Sequence, residues 1–229
     1  MTAIDALLGF AVVAGLLTLV PGIDTALVIR SSLTRARVYA WATAAGIATG
    51  AMAWGIAAAV GVSALLTASE AAYRVLTIAG AAYMAYLGGA LIWRSIHEHP
   101  AELSEPASAA SPDSSLVQGY LIGVGTNLLN PKVGVFYIAT IPQFLPADAA
   151  PVAMGAALAG VHGLLTLAWF GLLITAGSLA RRWLANPRNL VTIDRVTGLV
   201  LIVFAGRLLV DSLSAHLTAL PATARAALA

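Results

Sequence analysis

Two ionisable residues, Asp24 and Lys132, stand inside apolar stretches of the chain. Each follows a proline: Pro21-Gly22-Ile23-Asp24 in one case, Asn130-Pro131-Lys132 in the other. A charge at the centre of a membrane-spanning helix costs roughly 2.5–3.5 kcal/mol on insertion, so it needs a partner or a task. The prolines suggest where the task lies. Proline lacks an amide hydrogen and clashes with the carbonyl four residues back. In hydrocarbon the freed carbonyl must find another partner or face a water-filled cavity. Freed carbonyls and half-helix ends can bind polar ligands, and Gly22 lets a backbone or a ligand approach. Beside such breaks, Asp24 and Lys132 could form an ion pair, a titrating proton site, or a clamp for the two ends of a zwitterion. An ion pair that locks the fold is compatible with either of the other roles. The expected substrate- or ion-binding set is Asp24, Asn130, Lys132, Pro21, Gly22, Pro131 and Asn127. Within it, Asn130 is expected chiefly to cap or bridge the opened backbone.

The two breaks resemble each other. "GLLTLVPG" (Gly15 to Gly22) and "GTNLLNPK" (Gly125 to Lys132) both place a glycine six residues before the proline. Pro21 and Pro131 each lie about 15 residues into an apolar segment. With the first segment running inward and the fourth outward, two three-helix halves are related by an axis in the membrane plane. Many secondary transporters are inverted repeats of this kind, with the substrate site near mid-membrane.

Other residues carry weaker signals. His162 lies inside an apolar segment near Thr166 and Trp169, and is expected to be a hydrogen-bonded packing histidine more than a proton relay. His97 and His99 flank Glu98 in an H-x-H spacing, here read as a solvated face, so no metal site is expected. Gly46 and Gly50 form a small-xxx-small face, followed by Gly55 and Gly61. Such faces let helices approach closely. "GAAYMAYLGG" reads similarly, so Gly80 and Gly88 join Gly46 and Gly50 as helix-packing positions, with Tyr83 and Tyr86 as candidate cavity hydroxyls. Arg207 and Asp211 have the i,i+4 spacing that allows pairing on one helix face. Asp194 and Arg195 are expected at an interface. No GxSxG, HExxH or GxxxxGK[ST] pattern occurs, so serine or zinc hydrolysis and ATP-driven pumping have no visible machinery.

These residues need apolar elements to position them, and the composition supplies those. The hydrophobic fraction is 60%, the charged fraction 10% and the mean hydropathy +0.90. An average soluble domain is about a quarter charged. A bilayer is the better solvent, and at about 20 residues per helix the length suits six spans. Apolar segments fall at about 6–30, 40–67, 71–94, 116–141, 151–180 and 190–213. The expected fold is an all-α integral membrane protein, six transmembrane helices in two inverted three-helix repeats, 1–94 and 116–213. The whole of 1–229 reads as one transporter domain. Segment 95–115 is rich in Pro, Ser and Glu without apolar periodicity, and reads as a flexible cytoplasmic loop between the halves. Basic residues set the orientation. Arg30, Arg35, Arg37, Arg94, Arg181, Arg182, Arg188 and Arg195 share one side, which is therefore cytoplasmic, and both termini are expected outside. The absence of cysteine excludes disulfides and thiol redox relays. A net charge of +2 gives no reason to expect nucleic-acid binding.

At this point a family resemblance becomes visible. "PGIDTALVIRSSLTRARVYAWATAAGIATG", Pro21 to Gly50, resembles the first-to-second-helix signature of the LysE/RhtB amino-acid exporters. "GAAYMAYLGGALIWRS" is similar to their third helix, and "NLLNPKVGVFYIATIPQFLP", with its Asn-Pro-Lys triplet, to their fourth. The resemblance covers nearly the whole chain. It implies export of amino acids or related small metabolites across the bacterial cytoplasmic membrane, coupled to the proton gradient. One departure stands out: the family commonly has Pro-Gly-Pro where this chain has Pro21-Gly22-Ile23, which puts the sharpness of the first break in doubt.

The leading expectation is thus a secondary exporter working by proton antiport, with Asp24 as the coupling group. Its partners would be an amino acid, protons and the lipid bilayer, with homo-oligomerisation left open and no cofactor. A cation or metal-ion transporter of a related six-span family is the alternative. It would want several carboxylates in the spans, and only Asp24 lies well inside one. A membrane enzyme lacks a visible catalytic constellation.

Overall fold

The computed structural model describes residues 1–97, 115–146 and 149–219. Among these there are nine α-helices, one 3₁₀ turn and no strand. They are α1 (Ala3–Leu19), α2 (Ile23–Thr34), α3 (Arg37–Ala68), α4 (Glu70–His97) and α5 (Leu116–Leu128), then α6 (Pro131–Thr140), α7 (Pro151–Ala176), α8 (Ser178–Ala185) and α9 (Pro187–Ala219). The 3₁₀ turn, Ile141–Phe144, follows α6.

Local chemistry sets the helix ends. Thr2 caps α1 in a capping box: its hydroxyl accepts from the Asp5 amide, and the Asp5 carboxylate accepts from the Thr2 amide at 3.0 Å. Ser115 caps α5 by accepting from the Val117 amide. Asn130-Pro131 starts α6 and Asn186-Pro187 starts α9 by one device. The asparagine side chain accepts from the amide two residues on, and proline fills the first helical position, where its missing N–H has no intrahelical partner. Gly177, at φ 51°, turns the chain from α7 into α8 through a left-handed conformation that favours glycine.

Three helical stretches among the described residues are long and apolar enough to cross a membrane: Arg37–Leu65, Arg74–His97 and Pro151–Ala176. A fourth is added if α1 and α2 count as one span bent by 59°. The expected segment 6–30 is therefore two helices, and 116–141 is likewise divided into α5 and α6 at Leu129–Asn130. The segment expected to reach residue 180 ends at Ala176, because Gly177 breaks it. Residues 95–97, expected in the loop, continue α4; the rest of that loop, with His99, lies outside the described residues save for Ser115. The Asp211 side chain, expected opposite Arg207, also lies outside them.

Lipid tails are as apolar as leucine, so helix association in a bilayer rests on close packing and internal hydrogen bonds. The outward faces of the helices accordingly carry exposed Leu8, Val12, Leu164 and Leu172. Inside, backbones approach closely. A Cβ on Gly88 would meet the Gly198 carbonyl at 2.6 Å, and one on Gly198 would meet the Gly88 carbonyl at the same distance, joining α4 to α9 reciprocally. Between α3 and α7, Gly55 faces Ala159 and Gly155 faces Ala59. Gly46 lies against the Tyr120 carbonyl of α5, and Gly80 against the Ala139 backbone of α6. Arg94 of α4 donates two-pronged hydrogen bonds to Asp194 of α9, at 2.9 and 3.2 Å. Asp194 is buried by this pairing, and Arg195 donates to the Ser95 hydroxyl beside it. Phe10, Phe136, Tyr137 and Phe144, each at most 1% exposed, fill the core between α1 and α6.

Candidate functional site

Pro21 has the effect its chemistry dictates. It ends α1 and leaves the Leu17 carbonyl without its usual donor four residues on. Val20, the last residue before the break, also offers its carbonyl. Lys132 takes both: its Nζ donates to Leu17 O at 3.4 Å and Val20 O at 3.2 Å. The electrostatics favour this reach. Lys132 sits in the first turn of α6, at the positive end of that helix, and its ammonium extends to the negative carbonyl end of α1. Asp24 stands in the first turn of α2, where a helix N-terminus favours a carboxylate. Its Oδ2 accepts from Asn127 Nδ2 of α5 at 2.8 Å. The break between α1 and α2 thus holds the lysine of α6, and the carboxylate of α2 is held by an asparagine of α5.

These groups surround one cavity of about 50 Å³, room for a few waters. Asp24, Gly22, Asn127, Asn130, Lys132 and His162 all line it. Pro21 and Pro131 do not; they shape the breaks on either side. Asp24 and Lys132 share the cavity without bonding directly to each other, each being held by a different partner. Asn130 acts as the cap of α6, its Oδ1 accepting from the Lys132 amide at 3.1 Å. A Cβ on Gly22 would stand 4.0 Å from Lys132 Nζ, in ordinary contact. Ile47, Ala51, Val133 and Phe170 form an apolar wall. Gly50 makes space for Asn127, since a Cβ would come within 2.9 Å of its side chain.

His162 is buried with both ring nitrogens bonded, Nδ1 to Tyr137 at 2.8 Å and Nε2 to Thr18 at 3.1 Å. The Thr18 hydroxyl gives its proton to the Ala14 carbonyl, so it accepts from Nε2–H, and Tyr137 donates to Nδ1. One chain of hydrogen bonds therefore ties α6, α7 and α1 together. Thr18 and Tyr137 were not singled out by the sequence reading. Thr18 is a polar residue three positions before Pro21, and that spacing was the available signal. Tyr83 and Tyr86, expected as cavity hydroxyls, do not line this cavity; they pack on each other, and Tyr86 is 71% exposed.

Two buried oxygens on residues that line the cavity have no hydrogen-bond partner: Asp24 Oδ1 and Asn127 Oδ1. Leaving such an acceptor unsatisfied costs about 1–3 kcal/mol. Among the described residues no group of three or more His, Cys, Asp or Glu is placed to hold a metal ion.

The model of the family described as LysE type translocator matches residues 3–212. The chain belongs to this family. It is therefore a membrane transporter, not a member of an enzyme family. Among curated relatives, the translocator is 27% identical over 200 residues to the uncharacterized membrane protein YrhP of Bacillus subtilis (strain 168), covering 86% of this chain and 95% of that one. It is 27% identical to a leucine efflux protein of Enterobacter sp. (strain 638), covering 87% and 92% of the two chains. Against a leucine efflux protein of Klebsiella pneumoniae the identity is 26%, covering 88% and 93%. No solved structure matches the translocator.

Proposed function

We propose that this translocator exports neutral amino acids across the bacterial cytoplasmic membrane in exchange for protons. The observation that carries this reading is one cavity holding a carboxylate and an ammonium, each fixed by its own partner, beside an apolar wall. An amino-acid backbone presents the complementary pair of charges. The wall of Ile47, Ala51, Val133 and Phe170 suits an aliphatic side chain, since among the described residues no further charged one lines the cavity. The leucine efflux relatives point the same way. A cation carrier is not favoured: among the described residues Asp24 is the one carboxylate at the cavity.

The site residues in this reading are Asp24, Lys132, Asn127 and Asn130, placed by the breaks at Pro21-Gly22 and Pro131. Asp24 is the coupling group: ionised, it holds the substrate ammonium; protonated, it lets the unloaded carrier return. The fold in this reading is a single domain of six spans in two inverted halves, 1–94 and 116–213, with both termini outside. Its support is the pair of matched breaks and the reciprocal contacts, Gly88 with Gly198 and the Gly55–Ala159 and Gly155–Ala59 pairs. The proposed arrangement puts the 95–115 connection on the cytoplasmic side.

The test is efflux from proteoliposomes preloaded with labelled leucine, valine, lysine or glutamate. The neutral pair should leave fastest, and the lumen should acidify as substrate leaves, reported by an enclosed pH dye at clamped membrane potential. Leucine flux without a pH response would remove the coupling. No flux of any of the four would remove the reading.

A further inference from the structure

The cavity has a direction. Five buried side-chain atoms among the described residues lack a hydrogen-bond partner, and two of them, Asp24 Oδ1 and Asn127 Oδ1, belong to residues that line the same cavity. Both are acceptors. The identity of the Asn127 atom follows from its neighbour: Nδ2 donates to Asp24 Oδ2 at 2.8 Å, and turning the amide over would set two oxygens against each other. Asn127 is 2% exposed, and Gly50 and the α5 backbone hold it in place. Two fixed, buried acceptors side by side fit a ligand group that only donates. A primary ammonium has three donors and no acceptor.

The other end of the cavity has the opposite character. Lys132 uses two of its three donors on the α1 carbonyls, and among the described residues carries the only positive charge of a lysine or arginine at the cavity. We infer that the substrate lies with its free ammonium on Asp24 Oδ1 and Asn127 Oδ1 and its carboxylate toward Lys132, so that Asn127 is a specificity residue that demands an unblocked amine. This rests on the reading of the cavity as an amino-acid site, and it goes further in assigning each end and in giving Asn127 a direct contact with the ligand. Blocked amino acids, and acids without an amine, would leave two acceptors buried and unpaired, and should bind more weakly than leucine.

Binding to the purified full-length protein in detergent tests this without relying on transport. The probes are isoamylamine, which has the leucine side chain and amine without a carboxylate, and 4-methylpentanoate, which has the side chain and carboxylate without an amine. Thermal stabilisation gives an apparent affinity for each. Asn127→Leu should weaken isoamylamine at least tenfold and change 4-methylpentanoate less than twofold. Lys132→Met should do the reverse. Retained 4-methylpentanoate binding by Asn127→Leu separates loss of the acceptor from loss of the fold. Equal weakening of both probes by Asn127→Leu would overturn the assignment. So would a native protein that binds neither probe. Leucine efflux by the native protein with unselective Asn127 variants would sink this inference alone and leave the exporter standing.

Discussion

Lys132 has two carbonyls for company and Asp24 has an amide, and that division has consequences for each charge taken singly. Asp24→Asn removes the only carboxylate at the cavity, and Lys132→Met removes the donor that satisfies Leu17 O and Val20 O. Both variants should lose more than tenfold in leucine efflux. The methionine variant should also melt lower, because it strands carbonyls that nothing else reaches; thermal melts beside the flux assay check both. Gly50 gives a subtler test. An alanine there would push on Asn127, whereas Gly61 has open space around its Cβ position. Gly50→Ala should raise the substrate KM severalfold, and Gly61→Ala should leave efflux and melting unchanged. Equal effects of the two would mean that Gly50 serves general helix packing. The sequence made Asp24 and Lys132 conspicuous because charges and prolines are out of place in apolar runs. It did not say where each side chain bonds. Lys132 finds α1 across more than a hundred residues of sequence, and Thr18, His162 and Tyr137 meet from three helices. Such pairings depend on how helices pack, which no local spacing encodes.

At the scale of elements, the helices and the positions of their breaks were legible, and the division of the apolar segments was not. A hydropathy window runs smoothly across Leu19 to Ile23, since none of those residues is charged, yet the chain bends by 59° there. The end of α7 depends on one backbone angle at Gly177, which a composition-based reading passes over. The doubt over Ile23 is answered by its place. It is the first residue of α2, 59% exposed, and the break stands without a second proline. Proline is well tolerated at a first helical position, where the amide has no intrahelical partner. Ile23→Pro should therefore keep efflux within twofold of the native protein. Pro21→Ala should do the opposite. It restores an amide that can bond Leu17 O, competes with Lys132 for that carbonyl, and allows α1 to run on toward α2. Efflux should fall at least fivefold. A Pro21→Ala protein with native flux would mean that the bend is held by packing alone.

At the scale of the whole molecule, two polar seams close the space around the cavity. One is the Tyr137–His162–Thr18 chain, backed by the Phe10, Phe136 and Phe144 rings. The other is the Arg94–Asp194 pair between α4 and α9. Along α4 the second seam is set apart from the Tyr137 end of the first: α6 meets α4 at Gly80, and Arg94 is 14 residues further along α4, or about 20 Å at 1.5 Å per residue. A carrier has to expose its site to one side at a time, so the two seams should part alternately. The chain contains no cysteine, which makes a single reporter thiol at Thr166, in the cavity wall, unambiguous. Tyr137→Phe removes one hydroxyl while keeping the ring, and should raise labelling of Thr166→Cys by an impermeant maleimide applied from the side of the α1 N-terminus. Asp194→Asn weakens the other seam and should raise labelling from the side of Arg94. The double variant should label from both sides and leak substrate without a proton gradient, since a carrier with neither seam is a channel. If both single variants raise labelling from one and the same side, the seams are not opposing gates, and the reciprocal contacts of α4 with α9 belong to a rigid scaffold.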